Sequence, residues 1–275
     1  VGLDGAKKSI QDSFEEARKR AGMSEARVTV AAAGLAGLDC GYDAKILNEA
    51  LPSMGLAERF EVVHDSIIAL YGATGGSAGV IVIAGTGSVT AGMDGKGTTV
   101  RIGGWGPIVG DEGSGYELGR KALTAAMMSF DGRLPRNRLE EEIRKALRIQ
   151  STDEIIRKVY VEKMSVTQIA SLAPIVTELA KDGDAVASAI VKESVESLSS
   201  MVKAVILKLG LEKDEFPVAT IGGVFRAGSV ITDPFTRLIG LTAPKAKVGK
   251  PRMGPALGSV LVALEIANGR LTEEI

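Results

Sequence analysis

Six glycines fall within the fourteen residues Ile102-Gly103-Gly104-Trp105-Gly106-Pro107-Ile108-Val109-Gly110-Asp111-Glu112-Gly113-Ser114-Gly115. Without Cβ atoms such a backbone can approach a ligand closely. The only tryptophan of the chain and an adjacent acidic pair lie inside this run. Ser114-Gly115-Tyr116-Glu117 reads as a capping box, so a helix is expected to begin there and pin the loop. An aromatic plate and two carboxylates on a glycine-rich loop suit a polar, hydroxylated small molecule. Asp111 and Glu112 are unsuited to act as a paired acid and base, because adjacent side chains do not face each other across a sugar. One carboxylate gripping hydroxyls is the better reading.

Three further glycine turns follow predicted strands: residues 34–37, Gly85-Thr86-Gly87-Ser88, and Gly222-Gly223. Exposed amides in such turns form anion-binding nests, and the Thr86 and Ser88 hydroxyls add donors. The spacing of a Walker loop is absent. Gly85-Thr86-Gly87 precedes a strand, whereas the dinucleotide fingerprint needs a helix. Together the turns suggest a nucleotide phosphate tail held between two lobes. Asp65 closes the strand Phe60-Glu61-Val62-Val63-His64, the end at which ligands bind in open α/β sheets. It could take the proton of an attacking hydroxyl, or it could cap the helix that follows. His64 alternates to the opposite face of the strand and reads as structural.

The elements that must position these residues alternate between helical and strand patterns. Asp4 opens a helix with Ile10, Phe14, Ala17 and Ala21 on one face, ended by Gly22. A buried strand is expected over 27–33, a short helix over 44–51 and another from Ser66 to Gly72. Ala78-Gly79-Val80-Ile81-Val82-Ile83-Ala84 is a continuous apolar run typical of a central strand. Two more strands, 89–93 and 98–102, follow across tight turns, which predicts an antiparallel meander. Residues 114–209 read as mainly helical, with capping boxes at Ser151 to Glu154 and Ser165 to Gln168. A long helix over 185–209 ends at Gly210. A strand at 216–221 and a last helix over 255–267 complete the pattern. The fold class is α/β, with two lobes and a cleft between them.

Composition narrows the function classes. Of 275 residues, 45% are hydrophobic and 24% charged, and the net charge is −1, so nothing marks a nucleic-acid surface. One cysteine, Cys40, excludes an intrachain disulfide framework and a cysteine-rich metal site, and fits a reducing, cytoplasmic setting. A single histidine excludes multi-histidine metal centres, so proton chemistry falls to carboxylates. No apolar run has membrane-spanning length.

The runs 80–88 and 103–113, with Gly222-Gly223-Val224-Phe225, resemble the N-acetylglucosamine kinase and BadF/BadG/BcrA/BcrD ATPase family, of the sugar kinase, Hsp70 and actin superfamily. The resemblance spans essentially the whole chain. It implies two ribonuclease-H-like lobes closing over ATP and a sugar. By motif, Asp65 matches the catalytic base and Gly85, Thr86, Gly87 and Ser88 the second phosphate loop. Gly104, Trp105, Gly106 and Asp111 match sugar-contacting positions, and Gly222 and Gly223 the adenosine-side turn. Ala33-Gly34-Leu35-Ala36-Gly37 matches the segment near the sugar, with Gly37 as its contact. The family opens with a strand, an Asp-Gly-Gly-Gly-Thr-Lys-like first phosphate loop and a hairpin, which the start of this sequence does not match. The expectation is therefore an incomplete first lobe, with roughly forty family residues upstream of Val1.

The resemblance divides the chain into a sugar-kinase lobe over 1–75, joined by 255–275, and an ATP- and sugar-binding lobe over 76–254. It implies ATP and Mg²⁺ as cofactors, a small-molecule sugar as substrate, no protein metal ligands, no nucleic acid or membrane partner, and a homodimer as the default assembly. The expected activity is ATP-dependent phosphorylation of a hexose or N-acetylhexosamine hydroxyl. The alternatives are an ATPase activator of a dehydratase and a non-catalytic sugar- or nucleotide-binding regulator.

Overall fold

The computed structural model describes residues 3–23, 27–36, 38 and 41–269. Its first elements are α1 (Leu3–Arg20), β1 (Val30–Leu35), α2 (Gly41–Ala50), β2 (Arg59–His64) and α3 (Asp65–Thr74). β1 and β2 pair in parallel, from Val30 opposite Arg59 to Leu35 opposite His64. Both carboxyl ends therefore lie at one edge, and Asp65 follows at once. The strand expected over 27–33 is displaced by three residues at its start, and Gly34 lies inside it instead of opening a turn. The small Ala31-Ala32-Ala33 run carries the strand onward, and Gly34 is required there because a Cβ would meet the Ile68 side chain of α3 at 2.3 Å. α1 forms as its 3.6-residue pattern predicts, yet none of its side chains is buried.

A second run of elements builds the larger sheet. β3 (Gly79–Ala84), β4 (Ser88–Met93) and β5 (Thr99–Gly103) form the expected antiparallel meander. Helices follow: α4 (Gly115–Phe130), α5 (Arg138–Leu147), the single turn α6 (Glu154–Ile156) running into a π-helical turn at Arg157–Val161, then α7 (Val166–Ala170), α8 (Ala173–Lys181) and α9 (Ala185–Leu209). The chain returns through β6 (Pro217–Ile221), a 3₁₀ turn at Val224–Ala227, α10 (Ser229–Thr242) and β7 (Lys247–Gly249). The sheet order is β5-β4-β3-β6-β7, with β6 parallel to β3 and β7 parallel to β6. Val80 and Val82 of β3, Leu118 of α4, Val176 of α8, and Leu198, Val202 and Ile206 of α9 are buried in one core. At about 1.5–3 kcal/mol per buried large aliphatic side chain, this core holds the helices on the sheet.

α10 and β7 have no counterpart in the sequence reading. Pro234 sits within α10 and masks its helical period, while β7 is only three residues long. The last helix, α11 (Pro255–Ala267), forms with the expected bounds and packs on α3. Their crossing depends on small residues, since a Cβ on Gly258 would lie 1.8 Å from the Ile68 carbonyl and 2.6 Å from the Gly72 amide. Contacts divide the chain into two units, 78–250 and the discontinuous 1–77 with 251–275. Among the described residues no helix is long and apolar enough to cross a membrane.

Candidate active site

β3 and β6 are neighbours, so the two turns that follow them are neighbours too. Ile83 lies opposite Ile221, and the 85–88 and 222–223 turns leave the same edge of the sheet. The approach is tight: Gly222 has φ 107°, and a Cβ there would sit 2.3 Å from the Ala84 carbonyl oxygen.

The 85–88 turn is built by its own backbone and by the start of α4. The Gly85 amide donates to the Gly87 carbonyl at 2.9 Å. The first amides of α4 donate outward to the turn, Gly115 to the Gly85 carbonyl at 2.8 Å and Tyr116 to the Thr86 carbonyl at 3.1 Å. The Ser88 amide donates to Asp111 Oδ1 at 3.0 Å. Among the described residues the amides of Thr86 and Gly87 have no acceptor. Two successive unpartnered N–H groups beside a helix N-terminus form an anion nest.

The glycine-rich run after β5 folds onto this turn. The Gly104 amide donates to the Ser88 carbonyl at 3.0 Å, the Ser88 hydroxyl to the Glu112 carbonyl at 2.7 Å, and the Ser194 hydroxyl of α9 to the Gly113 carbonyl at 2.9 Å. Trp105 is 56% exposed, and the Arg101 guanidinium lies 5.1 Å from the centre of its ring. Gly104 and Gly106, at φ 75° and 81°, turn the backbone on either side of that ring. Ser114 caps α4 by accepting from the Glu117 amide. The return bond of the expected capping box is displaced, because Glu117 accepts from the Gly113 amide. Lys121 then joins Glu117 to Glu193 at 3.0 and 2.8 Å. Burial works against its charge, but the two carboxylates outweigh it and hold the ammonium above the usual lysine range.

A cavity of about 600 Å³ opens between the two turns. Gly85, Thr86 and Gly115 line one end, and Gly223, Val224, Arg226 and Ala227 the other. α7 and α8 supply the remaining wall, including Thr167, Pro174 and Glu178. These wall residues carry no sequence signal, since helix packing alone brings them to the cavity. Its size and its mixed lining suit a small ligand with an anionic tail.

Asp65 belongs to the other unit. It is the first residue of α3, and its side chain is 45% exposed. The cap of that helix is His64, whose Nδ1 accepts the Ser66 amide at 3.1 Å and lies 3.0 Å from Asp65 Oδ1. Capping therefore falls to His64, which ends the alternative reading of Asp65 as the cap. Gly37 and Cys40 lie outside the described residues. Of the two other expected capping boxes, Ser165 and Gln168 form theirs in full. At 151–154 half of the box forms, with the Ser151 amide donating to Glu154 Oε1 at 3.0 Å, while the helix cap position is Asp153, without a side-chain bond.

Residues 1–263 match the family model for the BadF/BadG/BcrA/BcrD ATPase family. The chain belongs to that family. It is 35% identical over 257 residues to the N-acetylmuramic acid/N-acetylglucosamine kinase of Clostridium acetobutylicum, covering 94% of this chain and 84% of that protein. It is 30% identical over 235 residues to the N-acetyl-D-glucosamine kinase of Dictyostelium discoideum, covering 84% and 74%. The structure of a putative N-acetylglucosamine kinase from Chromobacterium violaceum aligns with a TM-score of 0.75 at 27% identity, over 96% of this chain and 86% of that one. The BadF/BadG/BcrA/BcrD family is one of ATPases, and a nest with two unpartnered amides is the kind of group that a nucleotide phosphate requires.

Proposed function

We propose that this chain is an ATP-dependent sugar kinase. It transfers the γ-phosphoryl group of ATP to a hydroxyl of a hexose or N-acetylhexosamine, with N-acetylglucosamine the leading acceptor. The observation that carries this reading is the cavity joining Gly85 and Thr86, of the turn whose Thr86 and Gly87 amides are unpartnered among the described residues, to the Gly223 turn. The activities named for the Clostridium acetobutylicum and Dictyostelium discoideum relatives point the same way.

In this reading unit 78–250 holds the nucleotide, with phosphates at Gly85, Thr86, Gly87 and Ser88 and adenosine between Gly222-Gly223 and α8. Trp105, between Gly104 and Gly106, offers its ring to the sugar, with Gly37 and Asp111 as further contacts. Unit 1–77 with 251–275 contributes Asp65 as the general base. Asp65 accepts the hydroxyl proton as the new O–P bond forms and the β–γ bridge breaks, releasing ADP. Positioning and electrostatics supply most of the acceleration in such a transfer. The unpartnered backbone donors of the turn, the Thr86 and Gly87 amides, bind phosphate oxygens and no cation. Mg²⁺, when bound, would thus ride on the nucleotide, neutralising charge with phosphate oxygens and waters as its main ligands. ATP as a substrate and a single cysteine agree with a cytoplasmic setting.

The test is coupled ADP release with ATP and Mg²⁺ over glucose, glucosamine, N-acetylglucosamine, N-acetylmannosamine and N-acetylmuramic acid. Sugar-stimulated release on one or more acceptors is expected. Bound ATP without any sugar-stimulated release would overturn the kinase reading in favour of a regulator.

A further inference from the structure

Asp111 stands where the tryptophan loop meets the phosphate turn, and its geometry is unusual for a ligand-gripping carboxylate. The residue is 7% exposed and has φ 59°, a left-handed backbone that aspartate tolerates better than most side chains. Oδ1 accepts the Ser88 amide at 3.0 Å. Both carboxylate oxygens would lie 2.8 Å from a Cβ on Gly87, so the turn is packed directly on this group. The backbone repeats the latch, with the Ser114 amide donating to the Asp111 carbonyl at 3.2 Å and the Ser88 hydroxyl to the neighbouring Glu112 carbonyl. A carboxylate this far from solvent needs bonded partners, and the amide it takes is that of the residue ending the turn.

We propose that Asp111 is a positioning residue for the phosphate turn. Its carboxylate anchors Ser88 from beneath, and Gly87 rests on it, so the Thr86 and Gly87 amides are held outward before a nucleotide arrives. This inference rests on the nucleotide reading of the turn and gives Asp111 a second task beside its proposed sugar contact. Donors set in place beforehand need no reorganisation when charge reaches them, which is the benefit of an anchor outside the nest.

The experiment measures binding of the β,γ-imido analogue of ATP to the full chain by calorimetry, without sugar, for the unaltered protein and for Asp111→Ala, Asp111→Asn and Gly87→Ala. Asn keeps an oxygen for the Ser88 amide and tolerates a left-handed backbone. The expected pattern is analogue affinity lowered about tenfold or more in Asp111→Ala, the scale of one lost charge-assisted hydrogen bond. Gly87→Ala should lose a similar factor, because its new Cβ displaces the carboxylate. Asp111→Asn should stay within about threefold of the unaltered protein, since its acceptor is retained. Equal analogue affinity in Asp111→Ala, or a loss in Asp111→Asn as large as in Asp111→Ala, would overturn the assignment. Where Asp111→Ala does not fold, near-unaltered affinity in Asp111→Asn with a loss of about tenfold in Gly87→Ala supports the assignment, and unaltered affinity in Gly87→Ala or a loss of about tenfold in Asp111→Asn overturns it. If the unaltered protein fails to bind the analogue, the kinase reading itself falls. That result is distinct from a wrong pattern among the variants.

Discussion

Asp65 and His64 are adjacent in the chain and divide the end of β2 between them. Because His64 caps α3, replacement of Asp65 leaves the helix start intact. The loss of an acidic residue from the first turn costs about 0.3–1 kcal/mol, and Asn keeps an oxygen that can face His64 Nδ1. Asp65→Asn is therefore a clean probe of chemistry. Turnover with ATP and the preferred sugar should fall by about 10²-fold or more while sugar affinity holds, the pattern of a lost general base. Rapid-quench turnover and equilibrium sugar binding would check the two halves of this statement. A variant that turns over normally would remove Asp65 from the role. At this scale the sequence was legible wherever a residue type is rare or conformationally special. Gly85, Gly222 and Trp105 could be singled out that way, and the structure brings the 85–88 and 222–223 turns to one cavity. Glu178, Pro174 and Thr167 could not be found, because ordinary helical residues become cavity walls only through packing.

Glu140 shows what an element can hide. It lies in the first turn of α5, is 5% exposed, and accepts the hydroxyls of Thr152 at 2.7 Å and Ser129 of α4. One carboxylate thus ties two helices to the 151–153 segment. Burial works against its charge. The hydroxyls of Ser129 and Thr152, with Arg136 and Arg144 nearby, outweigh burial and hold the group below the usual glutamate range. A lowered folded-state value means that the ionised form is the stabilising one. That stabilisation is complete above the ordinary value of 4.5 and is lost as the pH falls through the lower folded value. Glu140→Gln should cost about 1–2 kcal/mol at neutral pH. The gap from the unaltered protein should close as the pH drops into the acid range. Urea unfolding of both proteins at several pH values would measure this, and a gap independent of pH would refute the ionic account. No motif announced the cluster, since Ser129, Glu140 and Thr152 are separated by eleven and twelve residues. Elements with strong periodicity or caps were readable: α9 and α11 have the expected bounds, and the meander from β3 to β5 forms in order. α10 was not, because Pro234 and Gly240 interrupt a helix that neighbours stabilise through Ile231, Phe235 and Ile239. There tertiary burial prevails over local propensity.

At the scale of the whole molecule, the 85–88 and 222–223 turns and the base candidate belong to different units of the chain. Gly85, Thr86, Asp111 and Gly223 lie in 78–250, whereas Asp65 lies in the unit made by both ends of the chain. Nucleotide binding should therefore register in one unit without any contribution from Asp65. A ligand that binds only the folded state stabilises it by RT ln(1 + [L]/Kd), which is about 2.7 kcal/mol at a hundredfold excess over Kd. The β,γ-imido analogue of ATP at that excess should raise the unfolding free energy by this amount. Asp65→Asn should show the same gain, since the base makes no part of the phosphate nest. Hydrogen exchange locates the effect. Slowed exchange is expected at Thr86 and Gly87, whose amides gain phosphate acceptors, and around 223–227, which closes the far end of the cavity. The Gly115 and Tyr116 amides already donate to the turn and should change less. Protection centred on β1 and β2 instead, with none at Thr86 or Gly87, would place the nucleotide in the other unit. The cavity between the two turns would then lose its assignment.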